Sequence, residues 1–141
     1  MLFRKKGRNL LWENELLVID AVIDGLSEKA RKILNKQLDH VVFVQRIVRK
    51  EVNLYYTRGH RNYNPDVPEL RTSSYEQLIA LAVLRHEQSG ELNKCKVWLV
   101  KSCLFTLEFD ILPKKREKMY AIDSVQILYD PSNEDQHDEM N

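Results

Sequence analysis

The stretch Tyr75-Glu76-Gln77-Leu78-Ile79-Ala80-Leu81-Ala82-Val83-Leu84-Arg85-His86-Glu87 decides what kind of domain this chain forms. It reads in two ways. As a helix, Ser74 and Gln77 make a capping box and the residue types are good helix formers. As a strand, Leu78 to Leu84 is an apolar run buried on both faces, followed by a hairpin loop that holds Gly90. The next segment, Cys95 to Val100, is a clear strand and the natural antiparallel partner. The strand reading is therefore preferred.

Downstream the alternation continues. Phe105, Leu107, Phe109 and Ile111 face one way, and Thr106, Glu108 and Asp110 the other, until Pro113 ends the strand. Lys114 to Lys118 is a charged loop. A last strand runs from Ile122 to Tyr129 with Val125, Ile127 and Tyr129 on one face, closed by Asp130-Pro131.

Upstream the period is helical. Trp12, Leu16, Ile19, Ile23 and Leu26 recur at intervals of four, three, four and three, which predicts a helix from about Trp12 to Asp24. Gly25 is its expected stop, in the left-handed conformation. A second helix is expected from Glu28 to Asp39, capped by Ser27, with Ala30, Ile33, Leu34, Leu38 and Val41 as its apolar stripe. Val41 to Val48 and Val52 to Tyr56 then read as two antiparallel strands joined at Arg49-Lys50-Glu51. Residues 58–74 carry Gly59, Pro65, Pro68 and several Asn and Asp, the chemistry of a long loop. Helices followed by sequential strands predict an α+β domain: an N-terminal helical hairpin packed on one face of a curved, mostly antiparallel sheet of about six strands.

The chain has 141 residues, 43% hydrophobic and 30% charged, which suits one globular domain over residues 1–130. The net charge is +1. Glu134, Asp135, Asp138 and Glu139, with no Lys or Arg among 131–141, make an acidic tail that is expected to be disordered, and they leave +5 on the rest. The basic residues Arg4, Lys5, Lys6 and Arg8 begin the chain. The apolar run a signal peptide needs is broken by Glu13, Asn14 and Glu15. No apolar stretch is long enough to span a membrane. A cytoplasmic location follows as the expectation. Cys95 and Cys103 lie eight positions apart without a second pair or a histidine cluster, so zinc is not expected. In a reducing compartment both act as small apolar residues; the alternative is a disulfide.

No phosphate loop, serine nucleophile elbow, zincin helix or calcium loop occurs, so no catalytic residue, metal or cofactor is expected. The best candidate for contact is Tyr55-Tyr56-Thr57-Arg58-Gly59-His60-Arg61-Asn62-Tyr63. Tyr55, Arg58, His60, Arg61, Tyr63 and, further on, Arg71 are the candidate partner-binding residues. Aromatic rings and arginines at a strand end suit a protein surface. They also suit stacked bases and phosphates. With Glu51 or Asp66, His60 would also meet the needs of a general base acting on RNA. A half-buried tyrosine followed by a solvated loop carries the same residues. His40 and His86 are expected as capping or surface residues, and Cys103 as structural. Trp98 alternates with Val97 and Leu99 and is expected in the core; the alternative is an exposed binding residue on a strand buried on one side only. The arm Arg4–Arg8 and the loop Lys114–Lys118 offer charge to phosphate or to acidic protein.

Val97-Trp98-Leu99-Val100-Lys101-Ser102-Cys103-Leu104-Phe105-Thr106-Leu107-Glu108-Phe109 resembles a strand–turn–strand of small bacterial proteins, some of them immunity proteins encoded beside polymorphic or contact-dependent toxins. The resemblance spans about Leu78 to Pro131, with Ser102-Cys103 at the turn. It implies a cytosolic α+β protein that neutralises a toxin domain by covering its active site. A protein partner, such as a cognate toxin domain, is then the expected ligand. A nucleic acid is the alternative, and no membrane is involved.

Overall fold

In the computed structural model, residues 6–47, 50–57, 64–113 and 119–131 are described. After a short 3-10 turn at Gly7–Leu10 come α1 (Glu13–Asp24), α2 (Glu28–Asp39) and six strands. The strands are β1 (Phe43–Ile47), β2 (Glu51–Tyr55), β3 (Glu76–His86), β4 (Leu92–Val100), β5 (Cys103–Phe109) and β6 (Tyr120–Ile127). They form one sheet in the order β1-β2-β5-β4-β3-β6, and each neighbouring pair is antiparallel. The expected α+β class, with both helices on one face, is the architecture observed: α1 packs on β3 and β6, and α2 on β5.

The deciding stretch is a strand, hydrogen-bonded on both sides to β4 and β6. Alanine and leucine favour a helix in isolation, but two flanking ladders outweigh that preference. Gly90 closes the β3–β4 hairpin at φ +74°, a conformation that suits glycine. The run is not buried on both faces, however. Ile79, Ala80, Ala82 and Leu84 are buried beneath the helices, whereas Leu78, Leu81 and Val83 are half-exposed on the opposite face. Apolar composition on both sides of a strand does not by itself bring a second layer.

The core lies between helices and sheet. It gathers Val18, Ile19, Val22 and Ile23 of α1, Leu34 and Leu38 of α2, Val52 and Leu54 of β2, Val97 and Leu99 of β4, and Leu107 and Phe109 of β5. In α1 the expected Ile19 and Ile23 are buried, as is Leu26 after it, but the buried face also takes in Glu15, Val18 and Val22, while Trp12 and Leu16 are half-exposed. Gly25 is right-handed, φ −84° and ψ −7°, not left-handed. Its smallness serves packing instead, because a Cβ there would lie 3.1 Å from Ile127 Cδ1. α2 has the expected bounds, and Ser27 Oγ accepts from Ala30 N at 3.4 Å. Asp130 closes the same corner by accepting from Ser27 N at 3.0 Å.

The alternation expected from Phe105 to Ile111 is interrupted. The ladder shifts between Trp98 and Leu99, which pair with Thr106 and Leu104, so Leu104 joins Leu107 and Phe109 on the core side. β5 ends at Phe109, and Ile111, 59% exposed, turns outward around Asn93. The β4–β5 turn is Lys101-Ser102, with Cys103 already in β5; both turn residues have positive φ, 51° and 67°.

Candidate partner-binding groove

Among the described residues no helix packs on the face of the sheet away from α1 and α2. Across β2, β5 and β4 this face presents two rows set by the register: Asn53–Thr106–Trp98 and Glu51–Glu108–Lys96. The segment 64–75 borders these strands, and together they enclose a groove of about 870 Å³. Tyr55, Tyr56, Tyr75 and Trp98 line it, together with four carboxylates, those of Glu51, Glu69, Glu76 and Glu108.

Trp98 is thus not a core residue. Odd-numbered neighbours Val97 and Leu99 take the buried side, which leaves the indole half-exposed on the groove floor. Its Nε1 donates to Glu108 Oε1 at 3.2 Å. Beside it Thr106 Oγ1 donates to Asn53 Oδ1 at 2.8 Å. Tyr75 is 62% exposed at the rim, with the Lys101 ammonium 5.6 Å from its ring centre. Outside the groove Phe43, 55% exposed, stacks at 5.7 Å on Tyr55 and extends the apolar face toward the edge strand.

The wall formed by 64–75 is fixed to the fold. Gln37, wholly buried in α2, donates through Nε2 to Pro68 O at 2.8 Å and Ser102 O at 2.9 Å, and its Oε1 accepts from Leu104 N at 2.9 Å. Leu70 N donates to Ser102 O, and Lys101 N to Tyr75 O, each at 2.9 Å. Asn64 Nδ2 reaches Tyr56 O at 3.0 Å. One buried amide therefore ties a helix, the loop and the β4–β5 turn together. Burial of the donors and acceptors makes each bond costly to lose.

Of the six residues expected to bind a partner, Tyr55 lines the groove, and its hydroxyl donates to Gln45 Oε1 at 3.1 Å. Arg71 is exposed on the 64–75 segment and is not among the groove's walls. Arg58, His60, Arg61 and Tyr63 lie outside the described residues, as do Arg4, Lys5, the loop Lys114–Lys118 and the tail from 132 onward. Arg8 donates to Asp20 Oδ1 at 2.8 Å and Asn35 Oδ1 at 2.7 Å, joining α1 to α2. His40 caps α2 through its backbone, and His86 Nδ1 accepts from Gln88 N and Ser89 N in the β3–β4 turn.

Burial favours the neutral forms of a thiol and a phenol beside the groove. Burial, and then the charge of Glu69, pushes the Cys103 thiol up to about 11. Burial raises the Tyr56 phenol well above its ordinary value, and the hydroxyl donates to Leu104 O. Cys95 is raised further by burial under the helices, and both cysteines are free. Among the described residues no group of three or more His, Cys, Asp or Glu could hold a metal ion, and no helix is long and apolar enough to cross a membrane.

Tyr75 and Glu108 had no functional reading in the sequence, Glu51 entered only as a partner for His60, and Trp98 was preferred in the core over a binding surface. Their signal was the period of two: Glu51, Asn53 and Tyr55 share a face, as do Thr106 and Glu108. What the sequence lacked was the strand order that sets these faces side by side. Comparison with protein-family models, with curated proteins and with solved structures finds no match to this chain.

Proposed function

We propose that this chain is a non-catalytic protein-binding inhibitor, most concretely an immunity protein that neutralises a toxin by covering its active site with the open face of the sheet. One observation carries the reading: a rigidly walled groove of about 870 Å³ on the sheet face away from the helices, lined by tyrosines, a tryptophan and carboxylates. Tyr and Trp on a rigid scaffold give large contact area with little entropy lost on binding. Charged groups among them select the partner and speed its approach. The hydrogen-bonded wall around Gln37 supplies the preorganisation that tight inhibition needs. Among the described residues four carboxylates and one lysine line the groove, a balance that favours a protein over the nucleic-acid alternative.

The test is a pull-down with the tagged chain from its native host, with the protein encoded beside it co-expressed. A stoichiometric protein complex that silences a toxic activity is the expected result. Co-purifying nucleic acid that is lost at high salt, with no protein partner, would sink the inhibitor reading.

A further inference from the structure

We infer that the groove seats a cationic side chain of the partner protein, an arginine or lysine, between Glu51, Glu108 and the indole of Trp98. The inference rests on the protein-binding reading above and adds the chemistry of what is bound.

Glu51 and Glu108 are direct partners across the β2–β5 ladder. Like charges placed opposite each other on one sheet face oppose strand pairing. Both residues are half-buried and line the groove, and among the described residues neither forms an ion pair. Lys96 stands on the far side of Glu108 in the β4 register, exposed and outside the groove. A cation lying between the two carboxylates converts this repulsion into attraction, and partial burial protects that attraction from salt.

Trp98 fixes the geometry. By donating to Glu108 Oε1 at 3.2 Å it holds one carboxylate oxygen in place beside the indole. Tryptophan is the best aromatic face for a cation. A guanidinium matches both elements, with its N–H fork on carboxylates and its plane on a ring. The fold already uses this combination once, at Arg46, whose guanidinium carbon lies 3.8 Å from the Trp12 ring centre while two of its nitrogens bind Glu15. Among the described residues at the rim, Glu69 and Glu76 outnumber Lys101, a balance that favours the approach of a cation.

The probe is a short blocked peptide of alternating arginine and glycine, titrated into the full chain. The readout is the Trp98 indole N–H resonance, assigned by its loss in Trp98→Phe. A matched glutamate–glycine peptide and spermidine are run beside it. The expected result is a saturable shift with the arginine peptide alone, and affinity about tenfold or more weaker in the Glu51→Gln/Glu108→Gln variant. That variant removes a repulsion, so its thermal unfolding midpoint should not fall, which separates loss of the seat from loss of the fold. An unmoved Trp98 resonance, an equal response in the double variant, or spermidine binding as tightly as the peptide would each overturn the inference. A partner retained undiminished by the double variant would overturn it too, while leaving the inhibitor reading standing.

Discussion

Arg46 on the edge strand β1 forks onto Glu15 in the first turn of α1, with Nε to Oε2 at 2.8 Å and Nη2 to Oε1 at 2.7 Å. Glu15 is wholly buried, and it also accepts from Trp12 N at 2.7 Å, so one carboxylate caps the helix and ties it to the sheet edge. Arg46 Nη2 reaches Leu10 O as well, at 2.9 Å. Arg46→Ala leaves a buried carboxylate without its cation. The expected loss is about 3–5 kcal/mol in chemical denaturation. Arg46→Lys recovers only part of it, because an ammonium cannot make the fork.

Gln37 gives a second expectation. Gln37→Leu keeps the volume but removes the partner of Leu104 N and of Pro68 O and leaves Ser102 O with Leu70 N. A loss of about 2 kcal/mol or more is expected by denaturation. Amide exchange should accelerate at Leu70 and Lys101, which hold the groove wall, before it does in the β3–β4 ladder. Unchanged exchange at those two amides would show that the wall does not depend on Gln37.

The β4–β5 turn stores strain that can be relieved. Ser102 sits at φ +67°, where a side chain is unfavourable. Its backbone carbonyl, not its side chain, receives Gln37 and Leu70. Ser102→Gly should therefore stabilise the fold by about 0.5–1 kcal/mol, seen as a raised thermal midpoint.

Both helices and the alternating strands among the described residues were legible because each rests on a local period, whereas the strand character of residues 76–86 was legible only through its partner strand that follows. The sequence misled where two chain-distant segments decide the outcome. Gly25 is placed by β6, through Ile127, and not by a left-handed cap. Gln37 interrupts the stripe of Leu34, Leu38 and Val41 at helical spacing and so was visible as a buried polar residue, but its partners lie 31 to 67 positions away. Trp98 and Glu108 became a site only through the β4–β5 register. Of the six named candidates the described ones are Tyr55, which lines the groove, and Arg71, which does not; Tyr56 and Thr57 of the same foreseen stretch line it too.

The thiol of Cys103 gives a pH expectation with a definite sign. Its folded value, about 11, lies above the ordinary thiol value of 9.0. The unfolded chain thus loses this proton first. Stability from this group is intact below about pH 9 and declines as pH rises toward 11. Alkylation of the native chain at pH 8 should accordingly be slow, and Cys103→Ser should flatten the alkaline limb of a stability–pH curve. Rapid modification at pH 8 without unfolding would contradict the burial argument.

The central claim is that the sheet face away from the helices binds a protein, and the most direct test compares capture by the tagged wild-type chain with capture by Trp98→Ala. The substitution trims a half-exposed side chain, so the fold should survive with a loss of about 1–2 kcal/mol, checked by circular dichroism. The account predicts that the wild-type chain retains a stoichiometric protein partner from its host and that the variant, still folded, loses it. A folded variant that retains the same partner with undiminished affinity would contradict the assignment of this face.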